Sequence, residues 1–146
     1  SGLIGAVLRT PGFKREEAEI RARSHELLAY VGISKFADYK ARTLSYGDQR
    51  RLEIARALAT DPQLIALDEP AAGMNATEKV QLRELIDRIR KDNRTILLIE
   101  HDVKLVMGLC DRVTVLDYGK QIAEGTPAEV QSNEKVIEAY LGTGGH

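Results

Sequence analysis

Three short predicted strands in the second part of the chain most constrain its fold. The strands at 64–67 and 95–99 contain the apolar runs 64–67 and 96–99, and continuous apolar runs of this length are typical of strands buried on both faces of a sheet. Residues 113–116 form the third predicted strand. Helical patterns over 76–91 and 103–109 separate them. Strands that alternate with helices predict part of a parallel α/β sheet. A turn at 117–120 leads to a predicted fourth strand at 121–124, and helices follow from Thr126-Pro127 to about Leu141.

The first 60 residues have a different pattern, which predicts helices and no strands. After a loose lead-in over residues 1–13, helices are expected over 14–31, with Gly32 as the C-terminal cap, and over 46–59, with Ser45 as the N-cap. The chain is therefore predicted to form two domains, a helical subdomain at 1–60 and part of an α/β core at 61–146.

Composition excludes several classes of function. The formal net charge is -1, which does not favour nucleic-acid binding. No run approaches the roughly 20 apolar residues of a membrane span. The single cysteine, Cys110, cannot form an intrachain disulfide. No signal peptide is visible, and the chain starts with Ser1 and not with methionine. The missing methionine indicates a start partway through a longer protein, although processing of the chain would give the same sequence.

Asp68 and Glu69 follow the first apolar run directly. Ligands of open α/β sheets bind at the carboxyl ends of strands. A carboxylate there can hold Mg²⁺, and a neighbouring one can orient a water for attack on a phosphoryl group. A solvated pair of acids that opens a turn would have the same sequence.

Two further loops could reach a phosphate. Residues 44–49 open a helix, whose free N–H groups attract anions, although an ordinary N-cap has the same residue types. His101 follows the second predicted strand and could bond a phosphate or position water; an exposed loop histidine is the alternative. His25 and His146 have no ligand spacing, so no histidine metal site is expected.

Together these loops resemble the ABC transporter ATPase family. The resemblance rests on Leu-Ser-Tyr-Gly-Asp-Gln-Arg-Arg-Leu-Glu-Ile-Ala-Arg from Leu44, Leu-Asp-Glu-Pro from Leu67, and Glu-His-Asp from Glu100, in this order. Asp48 departs from the family's usual Leu-Ser-Gly-Gly-Gln, and Asn75 replaces a usual Asp. With the ending from Ala123 to Gly142, these features are similar to the ATP-binding subunits of bacterial branched-chain amino-acid importers, specifically the G-type subunit.

The resemblance implies specific roles. Asp68 would hold Mg²⁺, Glu69 would polarise the attacking water, and His101 would contact the γ-phosphate of ATP. The signature loop (Ser45, Tyr46, Gly47, Asp48 and Gln49) would contact ATP bound to an opposing, related or identical ATPase subunit. Ala72, Gly73, Met74 and Asn75 would form a subunit-interface loop. The partners would be membrane permease subunits, with the protein in the cytoplasm, peripheral on the inner face of the membrane.

The family's phosphate-binding P-loop, Gly-x-x-x-x-Gly-Lys-Ser/Thr, is missing from the sequence. The only Gly-Lys is Gly119-Lys120, and Gln121 follows it. The chain thus resembles the helical subdomain plus the C-terminal half of the P-loop NTPase core. We expect it to bind ATP weakly and to be inactive alone. Its strand at 64–67 would lose its sheet neighbours and promote association. Two alternatives are a non-catalytic module that docks permease subunits and a soluble ABC ATPase of repair or translation.

Overall fold

The computed structural model of the protein describes residues 11–142, which form two compact units divided between Ile65 and Ala66. The predicted boundary after residue 60 remains a prediction. None of the described helices is long and apolar enough to cross a bilayer. Residues 1–10 of the lead-in predicted at 1–13 lie outside the described residues, and residues 11–13 are helical instead.

The first unit is helical, as predicted. Helix α1 (Pro11–Tyr30) begins three residues before the predicted start, because proline fits the first turn of a helix, where its missing N–H is not needed. Gly32 ends this region with a φ of 84°, which a glycine tolerates best. Two short 3₁₀ turns, Ser34–Phe36 and Ala41–Thr43, precede helix α2 (Tyr46–Leu58), and α1 contacts α2. The unit's buried side chains include Leu27, Val31, Ile33, Ile54 and Leu58.

The second unit alternates strands and helices. Its elements are β1 (Leu64–Asp68, which crosses the unit boundary), α3 (Ala76–Lys91), β2 (Thr95–Ile99), α4 (Val103–Leu109), β3 (Val113–Asp117), β4 (Lys120–Gly125), α5 (Pro127–Gln131) and α6 (Glu134–Val136), followed by a π-helical turn at Ile137–Leu141. These elements match the predicted ones to within a few residues. One face of α3 is buried, through Leu82, Leu85, Ile86 and Ile89 at helical spacing.

Two two-stranded sheets are formed. β1 pairs with β2, and the 16 residues of α3 connect them, which is the kind of crossover that parallel neighbours need. β3 and β4 pair antiparallel. Tyr118 and Gly119 have φ values of 50° and 75° in the tight turn between them, as expected of a primed hairpin turn. The expectation that the strand at 64–67 loses its neighbours is wrong in part, because β2 pairs with it.

Burial of the strands differs from the prediction. Only alternate residues of β1 are buried, and no residue of β2 is fully buried. Leu64, Leu97 and Ile99 are 59%, 55% and 52% exposed. The expectation that these strands are buried on both faces is therefore wrong for the described residues. In β1 only the face that carries Ile65 and Leu67 is covered. A cavity of about 730 Å³, lined mainly by residues of β2, α4 and β3, lies beside the exposed positions of β2.

A small core supports the second half of this unit. Val113, Val115, Val130 and Val136 are buried together, and Met107 is among the partly buried residues that pack on them. This core joins the β3–β4 hairpin to α5 and α6 and fixes the base of α4. The loop that carries His101 lies between β2 and α4, so both of its ends are held by regular structure.

Candidate active site

The signature loop lies in the first unit and caps α2. Ser45 Oγ accepts a hydrogen bond from the Asp48 N–H at 3.2 Å, and its hydroxyl donates to Asp48 Oδ2 at 2.9 Å. Arg51 Nη1 lies 3.9 Å from Asp48 Oδ1. Ser45 is therefore the N-cap of α2, and the Asp48 carboxylate lies in the first turn of that helix, where the helix dipole favours a negative charge.

The other residues of the signature loop also have local partners. Gln49 Nε2 donates to the Leu44 carbonyl at 3.0 Å. Tyr46 is 47% exposed, and the guanidinium of Arg50, one turn later, lies 5.0 Å from its ring centroid and donates to its hydroxyl. Gly47 is buried. The tyrosine ring is thus held along the helix by a cation–π contact.

Asp68, Glu69 and His101 lie in the second unit, at the ends of two paired strands. Glu69 has a φ of 47°, an uncommon conformation for a residue with a side chain that occurs often at functional sites. Its N–H donates to the Ile99 carbonyl at 2.7 Å. His101 Nδ1 and Glu69 Oε1 are 2.8 Å apart. Both side chains are exposed, 71% for His101 and 50% for Glu69, so both are accessible to a ligand.

Glu100 was not singled out by sequence, although it precedes His101. Its side chain is only 1% exposed. Oε2 accepts from the Ala71 N–H and Oε1 from the His101 N–H, both at 3.1 Å. A buried carboxylate needs such partners. The one available signal was an acidic residue directly after an apolar strand.

Asp102 follows His101 and has a structural role that the sequence analysis did not predict. It is the N-cap of α4, since Oδ1 accepts from the Leu105 N–H at 3.1 Å. Its Oδ2 lies 3.0 Å from Lys79 Nζ on α3. The hydrogen bond from Lys79 and that from the Leu105 N–H lower the pKa of Asp102. His101 therefore lies between two anchored acidic residues.

The predicted interface loop leads from Glu69 into α3. The Ala72 N–H donates to the Glu69 carbonyl and the Met74 N–H to the Ala71 carbonyl, both at 3.1 Å. Met74 is buried, and Gly73 has a φ of 76°. Asn75 caps α3 through Glu78, with its Oδ1 accepting at 2.8 Å and its Nδ2 donating at 2.9 Å. Asn75 is therefore the N-cap of α3.

The donor set at Asp68 fits a magnesium ion that binds together with a nucleotide. Asp68 is exposed at the end of β1, and a carboxylate is the type of ligand that Mg²⁺ prefers. Within residues 11–142 there is no group of three or more His, Cys, Asp or Glu side chains that could hold a metal ion. One carboxylate suffices when phosphate oxygens and water complete the coordination.

Comparison with known proteins places these loops in a family. Residues 6–72 match the ABC transporter family, and residues 120–146 match the C-terminal region described as branched-chain amino acid ATP-binding cassette transporter. The chain is 50% identical over 143 residues to LivG of Salmonella typhimurium, a high-affinity branched-chain amino acid transport ATP-binding protein. The match covers 97% of this chain and 56% of LivG.

This chain belongs to the ABC transporter ATP-binding family. BraF of Pseudomonas aeruginosa, with the same description as LivG, is 45% identical, and the match covers 97% of this chain and 56% of BraF. The solved structure of MJ1267, an ATP-binding cassette of an ABC transporter in its ADP conformation, matches with a TM-score of 0.77 and 32% identity, covering 86% of this chain and 51% of that chain.

The family confirms the predicted α/β fold class and the resemblance to branched-chain amino acid transport ATP-binding proteins. The chain spans about half the length of the relatives it matches. LivG and BraF are both described as ATP-binding proteins. The roles of Asp68, Glu69 and His101 remain predictions.

Proposed function

We propose that the complete subunit containing this chain binds and hydrolyses ATP to drive import of branched-chain amino acids by an ABC transporter. The observation that carries the proposal is the meeting of Glu69 and His101 at 2.8 Å, beside Asp68, at the ends of two paired strands. Ligands of α/β sheets bind at such strand ends. The transported class comes from the likeness to LivG and BraF.

Glu69 would polarise the water that attacks the γ-phosphate. One carboxylate oxygen is engaged by His101, and the other is available to accept a hydrogen bond from water. Its exposure of 50% gives that water access. Positioning and polarising the nucleophile is the main task that phosphoryl transfer leaves to a protein side chain.

His101 would contact the γ-phosphate through Nε2. An imidazole whose Nδ1 donates to Glu69 can donate to a phosphate oxygen from Nε2 only when both nitrogens carry protons. The doubly protonated ring adds positive charge where the transferred group carries negative charge. His101 would then link the γ-phosphate to the carboxylate that orients the water.

Asp68 would hold Mg²⁺, which neutralises charge on the β- and γ-phosphates when bound. The exposed position of Asp68 after β1 leaves its carboxylate open to that ion.

The signature loop would contact ATP bound to a second ATPase subunit. Ser45 would have to turn its hydroxyl proton from Asp48 towards a phosphate oxygen. Ala72, Gly73, Met74 and Asn75 would form the loop at the interface with that subunit.

The partners would be membrane permease subunits and a second, homologous or identical ATPase subunit. The complete subunit would then lie in the cytoplasm, peripheral on the inner face of the cell membrane. The helical subdomain at 1–60 would contact the permease subunits and, through the signature loop, the ATP of the second subunit. The core at 61–146 would carry Asp68, Glu69 and His101.

The chain of 146 residues alone would bind ATP weakly and not turn it over. Its sequence has no Gly-x-x-x-x-Gly-Lys-Ser/Thr, and P-loop amides and lysine hold the β- and γ-phosphates. Calorimetric titration of the chain with Mg-ATP is expected to give no micromolar binding. Micromolar binding would contradict this part of the proposal.

ATP hydrolysis by the complete subunit tests the main proposal. Glu69→Gln keeps the side-chain volume and the bond to His101 but removes the basic oxygen, so kcat should fall about 100- to 10,000-fold while ATP binding persists. Glu84→Gln makes the same change on an exposed part of α3 and should behave like the wild type. A Glu69→Gln subunit with wild-type kcat would refute the role of Glu69.

A second function, a non-catalytic docking module, is favoured by one observation on the first unit. Ile20 is 67% exposed and, with Leu28 and Ala37, lines a surface cavity of about 570 Å³, and such a cavity can receive a side chain of a partner. Co-purification of permease subunits with the 146-residue chain, without ATPase activity, would support this function. Loss of that co-purification on Ile20→Ser would link it to the exposed side chain.

A further inference from the structure

Glu100 is a buried acid between two exposed residues. Its side chain is 1% exposed, whereas Ile99 is 52% exposed and the His101 side chain 71%. Placing a carboxylate out of water is unfavourable unless hydrogen bonds replace its hydration. Hydrogen bonds from specific N–H groups therefore keep Glu100 in this buried position. The same bonds show which groups Glu100 holds in place.

The two partners belong to different loops. Oε1 bonds the N–H of His101, the adjacent residue, and Oε2 bonds the N–H of Ala71, 29 residues earlier in the chain. Bonds from backbone N–H groups to a carboxylate are charge-assisted and stronger than neutral ones. One side chain thus bridges the turn after β1 and the loop after β2.

The bridge closes a ring of contacts. His101 bonds Glu69 through Nδ1, and Glu69 is joined to Ala71 through Pro70. The Glu69 N–H also bonds the carbonyl of Ile99. In this ring the backbone of His101 cannot shift without a change at Ala71 or Glu69.

Ala71 connects this ring of contacts to the interface loop. Its carbonyl accepts the N–H of Met74, and Met74 is followed by Asn75, the cap of α3. Ala71 and Met74 are both buried, at 3% and 9% exposure. Fixing the Ala71 N–H therefore fixes the start of the loop Ala72–Asn75.

We propose that Glu100 is a positioning residue that couples the interface loop Ala72–Asn75 to His101. A change at the interface with the second ATPase subunit would reach the backbone of His101 through the Glu100 carboxylate. The proposal rests on the proposed ATPase function, because it assigns Glu100 an effect on turnover.

Kinetics of the complete subunit test the proposal. In Glu100→Gln, the amide offers one acceptor oxygen and an NH₂ donor, so one N–H group loses its acceptor and faces a donor. Because misplacing a catalytic group by about 1 Å can cost 100-fold in rate, kcat should fall about 10- to 100-fold while the KM for ATP stays within about twofold. Glu84→Gln is the matched control and should keep wild-type kinetics. A wild-type kcat in Glu100→Gln would overturn the proposal.

A double-mutant cycle separates coupling from general damage. If Glu100 acts through His101, then Glu100→Gln should cause little further loss in a subunit that already carries His101→Ala. A full 10- to 100-fold further loss would overturn the proposal. A wild-type subunit that does not hydrolyse ATP would instead refute the proposed function.

Amide hydrogen exchange in the wild-type subunit tests the bridge without any variant. The Ala71 and His101 amides are expected to exchange at least 10-fold more slowly than the exposed amides of the same loops. This measurement is independent of turnover and of how the variants fold. Exchange of both amides at the rate of exposed ones would overturn the proposal.

Discussion

Asp102 makes two contacts whose contributions two substitutions can separate. Its bond to the Leu105 N–H caps α4, and an N-cap contributes about 1 kcal/mol. Its ion pair with Lys79 spans 3.0 Å, with side chains 21% and 42% exposed, and a pair of this exposure contributes about 0.2 to 1 kcal/mol. Asp102→Asn keeps a good cap and loses the pair, whereas Asp102→Ala loses both.

Urea unfolding of the complete subunit at neutral pH should therefore give a loss of about 0.5 kcal/mol for Asp102→Asn and about 1.5 kcal/mol for Asp102→Ala. Equal losses in the two variants would refute the division between cap and ion pair. Raising the salt concentration should reduce the loss for Asp102→Asn, since partly exposed charges are screened.

The pH dependence of this difference follows from the lowered pKa of Asp102. Lys79 and the Leu105 N–H hold the folded-state pKa below its ordinary value of 3.8. The stabilisation is present at every pH above that value and is lost as the pH falls through the folded-state pKa. The difference between wild type and Asp102→Asn should be constant from pH 8 to pH 5 and shrink only below about pH 4. A difference that disappears between pH 7 and pH 5 would refute the assignment.

Three further predictions concern stability and association. Ile89→Ala, at a position with 0% exposure, should cost about 2 to 5 kcal/mol in urea unfolding of the complete subunit, and a loss under 1 kcal/mol would contradict the burial. Ser45→Ala should cost about 1 kcal/mol through loss of the α2 cap, and Ser45→Asn, which can cap, should restore most of it. The 146-residue chain should sediment as a concentration-dependent oligomer, because Leu97 and Ile99 are exposed. Leu97→Ser should weaken that association, and a strictly monomeric wild-type chain would contradict it.

Local signals in the sequence predicted most of the regular structure. Asn75 and Glu78 flank the start of α3 and bond each other in the structure, and Ser45 caps α2 as its residue type indicates. Each of these signals depends on residues three or four apart. Pro11 could have given the start of α1, but beside Gly12 it was interpreted as a loop.

Burial of the strands could not be predicted from local sequence. An apolar run such as residues 96–99 indicates a strand, but which of its faces is covered depends on elements elsewhere in the chain. In the described residues β2 keeps Leu97 and Ile99 exposed. Periodicity therefore gave the type of element and not its surroundings.

The candidate site was predictable as a set of residues but not as a set of contacts. Asp68, Glu69 and His101 follow apolar runs, which is why they were expected at one edge of a sheet. The bond between Glu100 and Ala71 joins residues 29 positions apart, and no local pattern encodes it. The same holds for Lys79 and Asp102.

Uptake of a labelled branched-chain amino acid into vesicles tests the central claim most directly. The vesicles would contain the transporter assembled with the complete subunit. Mg-ATP would be supplied on the side of the membrane where that subunit lies. Uptake should require ATP, fall about 100-fold or more with Glu69→Gln, and be unchanged with Glu84→Gln. ATP-dependent uptake that continues at the wild-type rate with Glu69→Gln would contradict the account.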